Sequence, residues 1–293
     1  MSILSSTRAA ARRLSARPVL VGLAALSLSG VGVAIAQPAG ASLFGGIPGQ
    51  VNTYQYPNFT CNGILPPQVI PAGNYTLLTI NGLCQLGPGL TRVSNGINIS
   101  PGAVLDAANF LPGTPSCSTH LDVLAGGINV SQGGVLFYGN GPGTGCPNSN
   151  DQVGGGIIAN SPLAVVVHGA SISGPFSVTG GGGGTSCYDM RVFKFPGFSG
   201  FDLGAPPFTD LEDSQVSGPV TMSGQATCWQ GIIRNTIHAS PFGGVNINNN
   251  LLGDPDAIEV GANTIFGNLS CSGNGPGLPN TTGGVPTNVE PGP

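Results

Sequence analysis

Residues 96–109 read GINISPGAVLDAAN, and residues 127–140 read GINVSQGGVLFYGN. Eight of the fourteen positions are identical, and the two copies start 31 residues apart (127 − 96). Each copy contains a short alternating segment, a turn that includes Ser and Gly, and the start of a second apolar segment. A unit repeated in this way is typical of a solenoid, in which each repeat packs on the next.

Direct stacking of equivalent residues explains why the two copies are alike. In a parallel β-helix such residues lie about 4.8 Å apart on successive coils, so each apolar side chain rests on its own copy. The predicted fold is therefore all-β, a right-handed parallel β-helix. An antiparallel β-sandwich is the alternative, although its hairpins give no reason for this likeness. The predicted stacking pairs are Ile97 with Ile128, Asn98 with Asn129, and Val104 with Val135.

A second pair of segments extends the repeat along the chain. Residues 172–180 (ISGPFSVTG) match residues 216–224 (VSGPVTMSG) at a spacing of 44 (216 − 172). A regular coil takes roughly 20–25 residues. A spacing of 31 then predicts one coil plus a loop, and a spacing of 44 predicts two coils or one coil with a large excursion. Because the repeated residues are core and corner residues, function is expected in the loops.

The first 36 residues have the layout of a secretory signal peptide. Four arginines precede an uncharged, largely apolar run from Pro18 to Ala36 that ends in small residues. Interruptions by Gly, Pro and Ser favour cleavage over a retained membrane anchor, the alternative for a run of this length. Cleavage is expected after Ala36 or as late as Ala41. The protein is therefore expected to be secreted or at the cell surface, with no membrane attachment after signal removal.

The mature chain divides by composition into three parts. Residues 37–60 are an N-terminal linker or cap, residues 61–271 are the β-helix domain, and residues 272–293 are a tail rich in Gly, Pro and Asn. Four basic residues remain against twelve acidic ones, which gives a net charge of −8 (4 − 12). This charge argues against nucleic acid as a partner, because phosphate binding depends on clustered Lys and Arg.

Seven cysteines follow the predicted signal peptide, which indicates disulfides in an exported protein. Cys117 and Cys146 each follow one copy of the repeat, so their loops leave the solenoid at the same corner, one coil apart. A separation near 5 Å suits a disulfide. The other predicted pairs are Cys61 with Cys84 and Cys187 with Cys228.

The closing stretch carries a resemblance to a known group of proteins. Residues 258–274 read IEVGANTIFGNLSCSGN. Together with the leader, the Gly/Asn-rich coils and the scattered cysteines, they resemble the uncharacterised secreted parallel β-helix proteins of actinobacteria. In such proteins a Pro-Asn segment leads to a final glycine and cysteine, whereas here no cysteine follows Asn280. The resemblance implies a fold, a location and an unpaired Cys271, and it implies no activity.

Residues 188–213 depart most from the repeat and combine phenylalanines with two of the four mature basic residues. Aromatic faces beside a cation suit a carbohydrate, so a cell-wall or extracellular glycan is the candidate partner. The favoured interpretation is that the phenylalanines cover an apolar flank of the solenoid. The candidate ligand-binding residues are Arg191, Phe193, Lys194, Phe195, Phe198 and Asp202.

Two acidic groups are candidate calcium sites, since calcium takes six to eight oxygen ligands. The first group is Asp210, Glu212 and Asp213. The second group is Asp254, Asp256 and Glu259, and these three residues are the candidate metal ligands. Neither has the EF-hand spacing, so solvated turns are favoured and calcium is the alternative. No motif indicates another cofactor. The three histidines, His120, His168 and His238, are scattered and are expected to be packed or surface residues.

Chemistry on polysaccharides must be weighed because many β-helix proteins act on them. It requires paired carboxylates, or calcium with a basic residue nearby. No motif singles out a catalytic residue, so the favoured function is a non-catalytic structural or binding module. The alternative is a polysaccharide lyase or hydrolase with a site on one solenoid face. Three acidic side chains converging in a groove beside Arg191, Lys194 or Arg234 would favour the enzyme. The sequence gives no indication of oligomeric state.

Overall fold

The computed structural model describes residues 55–108, 117–142, 146–185, 208–239, 243–253 and 258–276, and the backbone of 289–291. In these ranges the regular structure consists of short β-strands without an α-helix. All strand pairs are parallel. The strands are short because Gly, Asn, Ser and Pro interrupt the apolar segments every few residues.

Three long sheets and one short sheet account for all of these strands. Sheet A contains β1 (Phe59–Cys61), β4 (Leu78–Ile80), β7 (Ile97–Ile99), β10 (Ile128–Val130), β13 (Ile157–Asn160), β16 (Phe176–Thr179), β19 (Val220–Ser223), β23 (Gly244–Asn248) and β27 (Asn268–Ser272). Sheet B contains β2 (Gln68–Ile70), β5 (Leu83–Leu86), β8 (Val104–Ala107), β11 (Val135–Tyr138), β14 (Ala164–His168), β17 (Phe208–Glu212), β21 (Trp229–Ile233), β25 (Ile258–Gly261) and β29 (Val289–Pro291). Sheet C contains β3 (Gly73–Tyr75), β6 (Gly89–Val93), β9 (Thr119–Val123), β12 (Asp151–Val153), β15 (Ala170–Ile172), β18 (Gln215–Val216), β22 (Thr236–His238) and β26 (Thr264–Phe266). The short sheet D contains β20 (Ala226–Thr227), β24 (Leu251–Leu252) and β28 (Gly275–Pro276).

The chain visits sheets A, B and C in turn, so each circuit forms one coil of a parallel β-helix. The predicted fold class is confirmed, and the antiparallel sandwich is wrong. Among the described residues, the strands begin at Phe59 and continue past Cys271 into β28 and β29, within the segment whose composition indicates a tail.

The repeated stretch forms adjacent coils in the predicted register. The observed pairs are Ile97 with Ile128, Asn98 with Asn129, and Val104 with Val135. The side-chain amide of Asn129 also donates a hydrogen bond of 3.3 Å to Oδ1 of Asn98. The likeness of the two copies is therefore the likeness of stacked positions.

Measured along sheet A, the shortest coils are slightly smaller than the roughly 20–25 residues expected for a regular coil. Phe59 pairs with Leu78, and Leu78 with Ile97, so these coils contain 19 residues (78 − 59 and 97 − 78). A spacing of 31 is then one such coil plus twelve residues (31 − 19). Phe176 pairs with Val220, so the spacing of 44 (220 − 176) is one coil with a large excursion, which lies between β16 and β17.

Apolar side chains fill the solenoid and also cover part of its outer surface. Within sheet B, alternate residues face opposite sides. The inward residues, such as Leu105, Leu136 and Val165, belong to the main core. A second buried cluster lies on the other face of the sheet and contains Leu83, Val104, Ala108, Val135, Phe137, Ala164 and Val166. The outside of sheet B is therefore not a solvent-facing surface over these coils.

Two disulfides connect neighbouring coils, and both are among the pairs expected from the sequence. Cys61 is bonded to Cys84 with a Cα–Cα distance of 6.2 Å, and Cys117 is bonded to Cys146 with a distance of 5.5 Å. Cys228 is also disulfide-bonded, and its expected partner Cys187 lies outside the described residues. Cys271 is a free thiol, and burial raises its pKa.

Candidate functional site

Most of the residues that the sequence suggested as ligand-binding or metal-ligating lie outside the described part of the chain. These are Arg191, Phe193, Lys194, Phe195, Phe198 and Asp202, together with Asp254 and Asp256. Glu259 is described and lies in β25, where its register partner on the previous coil is Gly231. The predicted signal peptide also lies outside the described residues.

The most concentrated group of ionisable residues lies on the outer face of sheet B. His168 ends β14 and is the register partner of Glu212 in β17. Asp210 lies two residues before Glu212, so strand alternation puts both carboxylates on the same face. The Nε2 atom of His168 is 2.9 Å from Oδ2 of Asp210. The sheet itself thus brings together residues that are 42 positions apart.

Arg234 closes one side of this group from the next coil. Its guanidinium Nε and Nη2 donate hydrogen bonds of 2.7 Å and 2.9 Å to the two carboxylate oxygens of Asp213. Nη2 also donates to Oε2 of Glu212. A bidentate arginine–carboxylate pair has a fixed geometry, so Arg234 holds Glu212 and Asp213 in place. We call His168, Asp210, Glu212, Asp213 and Arg234 the sheet B cluster.

Burial and mutual charge shift the pKa values in the sheet B cluster. Burial raises the pKa of Asp210 to about 7, although the hydrogen bond and charge of His168 oppose the shift. Burial lowers the pKa of His168, but the hydrogen bond and charge of Asp210 outweigh it, and the net shift is upward. The pKa of Arg234 is also raised, chiefly by its hydrogen bond to Asp213.

Aromatic residues border the sheet B cluster along the same strands. Phe208 pairs with Trp229, and their rings make an edge contact with centroids 6.2 Å apart. A Cβ atom on Gly231 would lie 2.2 Å from the Trp229 ring and 2.6 Å from Oδ1 of Asp210. Glycine is therefore required at 231, because the indole occupies the place of a side chain beside the carboxylate.

An enzyme was expected to have three acidic side chains that converge beside a basic residue in a groove. The sheet B cluster has the convergence but not the groove. Asp210, Glu212 and Asp213 do converge beside Arg234. Their side chains do not line an open groove, since those of Asp210, Glu212 and Asp213 are 4%, 13% and 10% exposed. A polymer substrate needs access to the catalytic carboxylates, so this geometry favours a structural or binding role.

A second histidine–carboxylate pair lies on sheet C. Nδ1 of His120 in β9 is 3.1 Å from Oδ1 of Asp151 in β12. The side chain of Asp151 is 1% exposed, and burial raises its pKa to about 6. The hydroxyl of Tyr138 lies nearby and donates to the carbonyl oxygen of Leu121 at 2.6 Å. The sequence predicted packed or surface histidines. His168 is packed and His120 is partly exposed, but their carboxylate partners were not predicted.

A pocket of about 170 Å³ opens beside sheet C near the first coils. Its lining residues are Tyr56, Asn74, Tyr75, Arg92, Ser94 and Leu124. Arg92 is half-exposed and has an ion pair with Asp122 at 3.7 Å. Aromatic, amide and guanidinium groups in one concavity are the donors and faces that a sugar ring requires. Sequence patterns did not reveal this pocket because its residues come from three coils.

Comparison of the chain with protein-family models, curated proteins and solved structures finds no match. None of the described residues forms a helix that is long and apolar enough to cross a bilayer.

Proposed function

We propose that this protein is a secreted, disulfide-stapled β-helix that acts as a structural or binding module at or outside the cell surface. The observation that carries the proposal is the pair of disulfides, Cys61–Cys84 and Cys117–Cys146, each joining neighbouring coils. Disulfides persist in oxidising compartments and are rare in reducing ones. The signal-like leader and the likeness to secreted actinobacterial β-helix proteins agree with that location.

We further propose an extracellular or cell-wall glycan as the partner of this module. The described surface that fits such a ligand is the sheet C pocket, in which Tyr56 supplies an exposed aromatic side chain and Arg92 a half-exposed guanidinium. Stacking on an aromatic face and hydrogen bonds from an arginine are non-destructive modes of recognition. They need neither a metal nor a catalytic acid.

Export is tested by expressing the full chain in a bacterial host with an oxidising secretion route. The expected result is a protein in the medium or on the cell surface whose N-terminus follows Ala36 or Ala41. Peptide mapping without reduction should recover the two observed disulfides. Retention of the intact leader with reduced cysteines inside the cell would contradict the proposal.

Glycan binding is tested by retention on insoluble cell-wall polysaccharides. The double variant Tyr56→Ala/Arg92→Ala is expected to lose at least ten-fold in affinity. Phe266→Ala is the matched control, because Phe266 is an exposed aromatic residue in β26 of the same sheet. An equal loss in the control would contradict the proposal. A loss found only in Arg191→Ala/Lys194→Ala would also contradict it, because binding would then belong to residues 188–213.

A polysaccharide-active enzyme is the second candidate function. The convergence of Asp210, Glu212 and Asp213 beside Arg234 favours it. A panel of polysaccharides incubated with and without calcium is expected to give no new reducing ends or unsaturated products. Product formation that disappears in Asp210→Asn would establish the enzyme in place of the module.

A further inference from the structure

We infer that His168, Asp210 and Glu212 form a binding site for one divalent transition-metal ion. Each residue offers one ligand atom, and these three atoms lie within 4.8 Å of one another. All three residues belong to strands β14 and β17 of sheet B, so their backbone positions are fixed by the register of the solenoid. The inference goes beyond the proposed function, since a structural or glycan-binding module needs no metal.

The sheet B cluster contains more carboxylates than permanent cations. Three carboxylates, Asp210, Glu212 and Asp213, face one permanent cation, Arg234. Arg234 is hydrogen-bonded to Glu212 and Asp213, and no described contact joins it to Asp210. A buried carboxylate without a full set of partners carries a large desolvation cost. A divalent ion would supply the positive charge that His168 alone does not.

A buried oxygen atom of Asp210 also supports a metal ion at this place. Oδ1 of this carboxylate is buried and accepts no hydrogen bond from the described residues. Leaving a buried carboxylate oxygen unpaired costs about 1–3 kcal/mol or more, so such an atom calls for a ligand. The carboxylate lies between His168 and the Trp229 ring, in a setting that excludes bulk water. A small cation bound to the carboxylate would balance its charge in this buried setting.

The ligand types select the kind of metal. One imidazole nitrogen and two carboxylates suit zinc or manganese, whereas calcium prefers six to eight oxygen ligands. Ligand atoms around a tetrahedral zinc ion lie about 3.4 Å apart, given bonds of about 2.1 Å. Shifts of roughly an ångström or less in each side chain therefore convert the present arrangement into a zinc site. Three protein ligands leave the fourth position for water.

Arg234 is a positioning residue in this proposal. Its guanidinium donates to Oε2 of Glu212, which fixes the position of a carboxylate that lies beside Asp210 and His168. Hydrogen bonds of this kind to a ligating carboxylate orient the ligand and tune the affinity for the metal. The same arginine is exposed on its outer side, at 44% of its side-chain surface, so its replacement need not disturb the core.

The test uses the full mature chain, stripped of metal with a chelator and titrated with zinc chloride in a calorimeter. One zinc ion per chain is expected to bind, with at least ten-fold weaker binding in His168→Ala, Asp210→Asn and Glu212→Gln. His120→Ala is the matched control, because His120 contacts a buried aspartate on another sheet. Substitution with cobalt(II) is expected to give the strong visible absorption of a four-coordinate site in the wild type and the control only.

Circular dichroism and thermal unfolding verify that each variant is folded before its affinity is interpreted. If Asp210→Asn fails to fold, Glu212→Gln and the cobalt spectrum of the wild type decide the question. Absence of saturable zinc binding to the intact chain would overturn the inference, and so would equal affinity in His168→Ala and the wild type. Binding of calcium in preference to zinc would also overturn it.

Discussion

Cys117 and Cys146 are joined by a disulfide with a Cα–Cα distance of 5.5 Å, although 29 residues separate them in the chain. Each follows one copy of the repeated stretch, so the bond links two loops that leave adjacent coils. We expect the double variant Cys117→Ser/Cys146→Ser to lose about 2–4 kcal/mol in the free energy of unfolding, because the unfolded chain is no longer cross-linked. Urea denaturation measures the loss. Cys271→Ser, which removes a free thiol, is the control and should change stability by less than about 1 kcal/mol.

Ile128 tests the stacking inside the solenoid. It is fully buried between Ile97 and Ile157 on the neighbouring coils. Ile128→Ala should lower the free energy of unfolding by about 2–5 kcal/mol, because the flanking side chains cannot collapse into the cavity. Asn129→Ala is the control, since Asn129 is the exposed next residue of the same strand and its side chain is hydrogen-bonded to Asn98. Equal losses in the two variants would contradict the assignment of inward and outward faces.

The sequence predicted the stacking of Ile128 but not the chemistry beside sheet B, and the reason is physical. Stacked positions carry similar residues, so a repeat reveals the register wherever two coils have the same length. His168 and Asp210 meet across an excursion that interrupts the repeat, and their contact is visible only once β14 and β17 are paired. Placement across an irregular insertion depends on tertiary packing, which local patterns do not encode.

A buried polar group inside the solenoid was also beyond sequence reasoning. The side-chain amide of Gln225 donates to Oγ1 of Thr209 at 2.8 Å, and the amide of Gln230 donates to Gln225. All three side chains are buried. In the sequence these residues resemble ordinary solvated turn residues, because their burial follows from the register of β17 and β21. These hydrogen bonds link the three side chains in a position that apolar residues occupy on earlier coils, while Oε1 of Gln230 is buried without a partner among the described residues.

Asn235 tests the ladder of asparagines at the corner between sheets B and C. Its Oδ1 accepts a hydrogen bond of 2.9 Å from the backbone N–H of Ser214, and its amide donates to the carbonyl of Leu211 at 2.7 Å. Asn235→Ala leaves these buried backbone groups unpaired, so we expect a loss of about 1–3 kcal/mol in the free energy of unfolding. Asn81→Ala removes an exposed amide contact with Asn62 and serves as the control. A loss in the control as large as that in Asn235→Ala would show that burial is not the deciding factor.

Asp151 should make stability depend on pH. Burial raises its pKa to about 6 in the folded chain, above the ordinary value of 3.8, despite hydrogen bonds from His120 and the backbone of Leu121. The folded state therefore binds more protons than the unfolded state between these values. This contribution to stability is fully present below about pH 4 and is lost as the pH rises through 6.

Comparison with Asp151→Asn isolates that contribution. The free energy of unfolding of the wild type, relative to the variant, should rise by about 2–3 kcal/mol between pH 7.5 and pH 4, because each pKa unit corresponds to about 1.36 kcal/mol. Urea denaturation at several pH values gives the difference, in which titrations common to both proteins cancel. A difference that stays constant over this range, or falls with decreasing pH, would show that Asp151 has an ordinary pKa.

Ala262 tests the backbone conformation at the corner between sheets B and C. Asp213, Arg234 and Ala262 occupy equivalent positions after β17, β21 and β25 and have φ values of 52°, 57° and 55°, and Gly169 takes this conformation after β14 with φ 59°. An L-residue pays about 1–2 kcal/mol in this left-handed region, whereas glycine pays no such steric cost. Asp213 and Arg234 are held by their ion pair, but the methyl group of alanine offers no compensating contact of that kind. Ala262→Gly should therefore raise the free energy of unfolding by about 0.5–1 kcal/mol, even after the greater entropy of glycine in the unfolded chain is included.

Ala170→Gly is the control, because Ala170 lies in the strand β15, and this substitution should lower the free energy of unfolding by a similar amount. Stabilisation by both substitutions, or by neither, would contradict a special backbone conformation at residue 262.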